Sequence, residues 1–194
     1  MTQTALATAT FFGSRHDHRS AESIRFEQLR NAICGARPFL GHHELLSPAF
    51  AELLPSFCIV EPDRLGMNLP VMLIGEHLAE AGARDVPGND FLALMREDAR
   101  PHAHRACIET ISRPCGLWAR MVAELSNGAP TEFEITGFPV IDEDRDAGQI
   151  AFLFRHVPTG LETSRYVSGI THGLEGGWID LGHGVPEAGV IGQA

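Results

Sequence analysis

The residues with the most chemical potential sit together at His102-Ala103-His104, flanked by Arg100 and Arg105. A His-x-His pair is a ligand set for transition metals. On a helix, however, positions two apart point about 200° away from each other, so only one of these histidines could serve a given metal. His16-Asp17-His18 and His42-His43 fall in stretches without apolar periodicity and read as solvated linker. Asp142, Asp144 and Asp146 have the one-three-five spacing of a calcium loop. Ala147 stands where that loop requires glycine and Leu153 where it requires a bidentate glutamate, so the segment reads as a charged hairpin loop. No nucleophile elbow, dinucleotide glycine pattern or HExxH motif occurs. Glu132 and Glu134 alternate with apolar neighbours, and solvation on the outer face of a strand accounts for them.

Composition narrows the classes further. The 194 residues carry 25 acidic and 15 basic side chains, a net charge of −10, and every basic residue is arginine. Without lysine there is no Schiff-base chemistry, no Walker phosphate loop and no kinase strand lysine. An acidic chain is also poorly suited to nucleic acid, which demands a concentrated basic face. Cys34, Cys58, Cys107 and Cys115 show neither CxxC nor metal-finger spacing and read as buried hydrophobes in a reducing compartment. Residues 1–13 carry no positive charge ahead of a short apolar run, and no stretch reaches the ~18 apolar residues of a membrane helix. The expectation is a cytoplasmic protein that engages neither membrane nor nucleic acid.

These residues must be positioned by a recognisable order of elements. Residues 1–19 lack periodicity and are expected to be a flexible lead-in. Ser20 is a good N-cap for a helix to about Ala36, with Phe26, Leu29 and Ile33 on one stripe and Pro38 and Gly41 as stop signals. A short helix is expected over Pro48–Leu54. Phe57–Val60 and Leu69–Ile74 read as strands, Glu76–Ala83 as helix, Phe91–Leu94 as a helical turn and Asp98–Ser112 as a longer helix. Three strands follow at 117–125, 131–136 and 149–156, the first two joined by the hairpin signal Asn127-Gly128. The fold class expected is α+β: a five-stranded antiparallel sheet with a helical crossover on one face and an N-terminal flanking helix.

That order, with Leu73-Ile74-Gly75, His77-Leu78, Gly82, Pro87-Gly88 and Phe91-Leu92-Ala93-Leu94-Met95, resembles the PAS domain. It is most similar to small stand-alone bacterial PAS-like proteins of unknown function, which often carry a tail like Trp178-Ile179-Asp180-Leu181-Gly182 with Gly184-Val185-Pro186. The resemblance divides the chain into the lead-in 1–19, a flanking helix region 20–43, the PAS-like domain 44–157 and a C-terminal tail 158–194. It implies a non-catalytic sensory or interaction module that signals in trans through a protein partner. Haem-binding PAS domains place their iron ligand on the crossover helix, which makes His104 the candidate for a haem variant. Flavin is disfavoured, since Arg105-Ala106-Cys107-Ile108 departs from the family's Asn-Cys-Arg-Phe, and a chromophore held by a tyrosine–glutamate pair is disfavoured because the one tyrosine, Tyr166, lies outside the domain. No cofactor is specified, and a small enzyme on the same scaffold would need a buried His–Asp or His–Glu pair that the sequence does not specify.

Two surfaces follow. The inner face is expected to combine Phe57, Val71, Leu73, Phe91, Leu94, Met95, Ile108, Leu117, Met121, Phe133, Ile135, Phe152 and Phe154, with His104 or Arg120 anchoring the head group of a small apolar or acidic ligand. The outer face carries Met72, Ile74, Trp118, Val122 and Leu153, too apolar for an open sheet. A helix bearing Phe26, Leu29 and Ile33 is expected to cover it, from the same chain or from a partner, and on the strength of that patch a homodimer is expected over a monomer.

Overall fold

The computed structural model describes residues 18–80, 89–157 and 167–187. The lead-in through Asp17, the crossover glycines Gly82 and Gly88, Tyr166 and the last seven residues lie outside the described residues. The first element is α1 (Ala21–Cys34), and Ser20 caps it by accepting a hydrogen bond from Ser23 N. Glu22 in its first turn suits the positive end of the helix. Gly35, at φ +56°, ends it by donating to Asn31 O, ahead of the expected stops at Pro38 and Gly41. Ser23, Phe26, Arg30 and Cys34 recur every three to four residues and form its buried face.

β1 (Leu40–Gly41) and α2 (His42–Leu45) follow, so His42 and His43 lie on a short helix rather than in irregular chain. The expected Pro48–Leu54 helix is two 3-10 turns, Pro48–Phe50 and Leu54–Ser56, because Pro48 and Pro55 each start a new turn. Then come β2 (Phe57–Val60), β3 (Val71–Ile74), α3 (Glu76–Glu80), a 3-10 turn at Phe91–Leu94 and α4 (Arg100–Ser112). The last strands are β4 (Gly116–Leu125), β5 (Pro130–Asp142), β6 (Ala147–Val157) and β7 (Val167–Ile179).

The strands form one sheet in the order β3-β2-β6-β5-β4-β7, and β1 lies parallel to the end of β5. Apart from β1 and β7, its five strands are an antiparallel pair, a helical crossover and a three-strand antiparallel meander, which is the PAS-like α+β arrangement. The Asn127-Gly128 signal does close the β4–β5 hairpin: Gly128 takes φ +81° and Asn127 Oδ1 accepts from Ala129 N. Gly75, just after β3, is required by a close approach, because a Cβ there would stand 2.4 Å from the carbonyl oxygens of Leu54 and Pro55.

Three expectations are corrected. The segment expected as a tail supplies β7, a 13-residue strand paired along the whole of β4. Gly169, Gly173, Gly176 and Gly177 break its alternation, and this hid the strand in the sequence. Within β3, the register shifts opposite Ile59 and Val60, so that Leu73 faces Ile59 and Ile74 faces Cys58. One irregularity therefore exchanges the two faces, turning Leu73 outward and Ile74 inward. Phe57 also belongs to the outer face, since it alternates with the inward Cys58; four consecutive apolar residues offered no pattern to decide this.

The sheet separates two cores. On the outer side Phe26 of α1 is wholly buried against Phe57 and Phe138, with ring centroids 4.8 Å away in each case, and against Phe50 at 6.0 Å. Trp118, Leu153, Val140 and Ile59 complete that core, and Leu29, Ile33 and Met72 pack at its margin. The chain's own helix thus fills the face for which a partner's helix was the alternative cover. α1 is also pinned at its start: Glu134 accepts from Ser20 N at 3.0 Å and Ser20 Oγ at 2.6 Å, while Ser23 Oγ meets Thr136 Oγ1. At the other end the buried Arg30 guanidinium donates to the carbonyls of Arg37 and Pro38.

Candidate ligand pocket

On the inner side the packing is incomplete. A pocket of about 210 Å3 lies between the sheet and the crossover. Its floor is Leu117, Ala119 and Met121 of β4, Ile135 of β5, Phe152 of β6 and Ile170–Gly173 of β7. Its roof is Leu69, Phe91 and Met95 with Ala99, His102, Ala103, Ala106 and Cys107 at the start of α4 and along its inner face. The cause of the void is legible in side-chain size. α4 presents alanines at 99, 103 and 106, the floor answers with Ala119 and Gly173, and interiors otherwise pack too densely to leave such space.

One flank is closed by aromatic stacking. Phe91 lies over Phe152 at 5.8 Å and 18°, and Phe154 contacts Phe91 and Phe133 at 6.0 Å each. Near Met95 the roof bridges directly to Ile170. Ala99 and His172 of the lining are exposed and His102 is half-buried, so solvent reaches the pocket at these residues. Polar groups in the described lining are confined to His102, Thr171, His172 and the Cys107 thiol, which burial pushes up to about 12 and so holds protonated.

Of the ligand-pocket candidates, Phe91, Met95, Leu117, Met121, Ile135 and Phe152 line the cavity. Val71 and Phe133 are buried in the same core, and Leu94 and Phe154 pack against it, all outside the lining. Ile108 is half-buried and absent from the lining, and Phe57 and Leu73 belong to the opposite face. The two expected anchors lie elsewhere. Arg120 alternates with Ala119 and Met121, so it projects from the outer face, where it is paired with Glu132 at 2.7 Å and Glu175 at 2.8 Å. Those two carboxylates raise its pKa. His104 donates from Nε2 to Asp63 O at 2.9 Å and ties α4 to the β2–β3 connection.

The helical geometry that separates His102 from His104 holds, but it turns His102 to the pocket. Missed from the sequence were the alanine stripe and the β7 residues 170–173. Ala99, Ala103, Ala106 and Cys107 at helical spacing could have marked the stripe. Among the outer-face candidates, Phe26, Trp118 and Leu153 are buried within the chain, Leu29, Ile33 and Met72 pack against them, Val122 is half-buried and Ile74 faces inward.

Haem does not fit this site. Its candidate ligand His104 is committed to Asp63 O, and the pocket is smaller than the roughly 300–1,000 Å3 typical of sites for drug-sized molecules, which a haem exceeds. Among the described residues no cluster of three or more His, Cys, Asp or Glu side chains could hold a metal ion. No described helix is long and apolar enough to cross a membrane.

No protein-family model and no curated protein matches the chain. Solved structures do. A light-oxygen-voltage domain studied with a flavin analogue is 14% identical, over 59% of this chain and 85% of that one, at a TM-score of 0.43. A light-oxygen-voltage protein from Rhodobacter sphaeroides is 12% identical over 73% and 71%, at 0.40. The PAS domain of a Colwellia psychrerythraea protein is 14% identical over 55% and 92%, also at 0.40. The PAS-like character of the fold stands on the strand order and crossover themselves.

Proposed function

We propose that this chain is a non-catalytic PAS-like sensory module that binds a small ligand between its sheet and α4 and reports occupancy in trans to a protein partner. The pocket of about 210 Å3 carries this reading, because it is apolar, reachable and framed by the crossover. Binding is favoured over catalysis by the lining: no carboxylate stands among its described residues to orient His102 or His172 as a general base. The acidic-ligand reading loses support, since Arg120 lies on the other face.

The homodimer reading loses the open apolar sheet face that suggested it and rests on the edge of β7, which among the described residues pairs beyond β4 only through the Met95–Ile170 bridge. A monomeric mass in solution scattering at micromolar concentration would remove it. The function itself is tested by native and denaturing mass spectrometry of purified protein. The expected result is a retained small molecule, or one acquired from a metabolite mixture, lost when Ala119→Phe fills the pocket. Protein that takes up nothing, with or without the substitution, contradicts the reading.

A further inference from the structure

The polar side chains of the described pocket lining stand at its mouth, and its depth is apolar. His172 is exposed and pairs opposite Val122, whose neighbours Met121 and Ala123 face the inner core, so its ring lies on the outer side of β4. Thr171 is half-buried, and its Oγ1 donates to Val122 O at 3.0 Å. His102 is half-buried in the first turn of α4, close to the exposed Ala99. Further along α4, Ala106 and Cys107 are buried, and across the pocket lie the buried Leu117, Ala119, Ile135 and Phe152. At this depth the one polar side chain of the described lining is the Cys107 thiol. Burial keeps it protonated, and a thiol is only a weak donor and a weak acceptor.

We infer that the ligand is a small neutral aromatic hydrocarbon, a single ring with at most a short alkyl substituent. This class rests on the ligand-binding reading above and deepens it. A hydroxyl or carbonyl seated among these residues gives up its bonds to water and meets no side-chain partner of full strength; a carboxylate loses far more. An apolar molecule in the same place loses no hydrogen bond and gains by leaving water. The lining also favours a π-system over a saturated ring. Met95, Met121 and Cys107 bring three sulfurs to it and Phe91 and Phe152 two rings, and both kinds of neighbour attract an aromatic ring beyond simple burial. Size supports a single ring: about 210 Å3 exceeds the ~150 Å3 apolar cavity known to admit benzene and falls short of sites for drug-sized molecules.

The test is calorimetric titration of the whole chain with toluene, phenol, methylcyclohexane and benzoate, repeated on Ala119→Leu. Toluene is expected to bind wild type about tenfold more tightly than phenol, the cost of one unmet hydroxyl. It is expected to bind a few-fold more tightly than methylcyclohexane, which has no π-face, and benzoate is expected not to bind. Ala119→Leu occupies part of the pocket and is expected to weaken toluene about tenfold, with a retained thermal transition showing that the variant is folded. Should Ala119→Leu fail to fold, the wild-type ranking decides alone. Phenol, methylcyclohexane or benzoate binding as tightly as toluene, or toluene binding the folded variant unchanged, overturns this inference and leaves the ligand-binding reading standing. If none of the four binds, this inference falls, and the ligand-binding reading falls with it only where mass spectrometry also finds no retained or acquired molecule.

Discussion

The two faces of one sheet are finished in opposite ways. On the outer face α1 lays Phe26 among Phe50, Phe57 and Phe138, and the core closes around the fully buried Trp118. On the inner face α4 offers alanines, the floor answers with Ala119 and Gly173, and about 210 Å3 stays empty of side chains. The difference is one of side-chain volume rather than of polarity, since both faces are apolar. On the proposed reading the outer core is filled for stability, while the inner one, itself well packed elsewhere, leaves room for a ligand.

The comparison is tested most severely by Phe26→Ala. Phe26 is wholly buried and no solvent borders it, so its loss is expected to cost about 3–5 kcal/mol in equilibrium denaturation. A cost under about 1 kcal/mol would show that α1 is not the keystone of that core. A matched pair then contrasts the faces directly. Ala151 in the outer core and Ala119 on the pocket floor are both buried strand alanines. Ala151→Leu overpacks a filled core and is expected to cost about 1–3 kcal/mol, whereas Ala119→Leu enters existing space and costs less than about 1 kcal/mol. Equal costs would erase the distinction.

Smaller effects come from the polar ties. Glu134→Gln weakens the acceptor that holds Ser20 at the start of α1 and is expected to cost about 1 kcal/mol in the same experiment. On the inner side, His104→Ala frees α4 from Asp63 O at a similar or lower cost. Burial pushes the thiols of Cys58, Cys107 and Cys115 up to about 12, so native protein near pH 8 should react slowly with a thiol reagent. His104→Ala should accelerate labelling of Cys107, which lies in the pocket roof, more than that of Cys58; uniform acceleration would indicate global unfolding instead.

Much of this architecture was legible in the chain. Ser20 as a cap, Asn127-Gly128 as a hairpin and the alternation in β4 and β5 are local signals, and the structure uses each of them. What escaped depends on events with no local signature. The register shift between β2 and β3 exchanges the faces of Leu73 and Ile74, and only the partner strand reveals it. β7 hides behind its glycines, although it pairs with β4 throughout and brings Thr171 and His172 to the pocket. Arg120 shows a different failing: its alternation with Ala119 and Met121 already placed it on the outer face, and its charge alone had made it an attractive anchor.

The central claim, that the inner face is a ligand site and the outer face is not, can be read from the methionine methyl groups. Met95 and Met121 line the pocket, Met72 packs against the outer core, and Met67 is exposed. In methyl-labelled protein titrated with toluene, the account predicts saturable shifts of the Met95 and Met121 resonances while Met72 and Met67 stay still. Shifts at Met72 equal to those at Met95 and Met121, or no saturable shift at either pocket methionine, would contradict it.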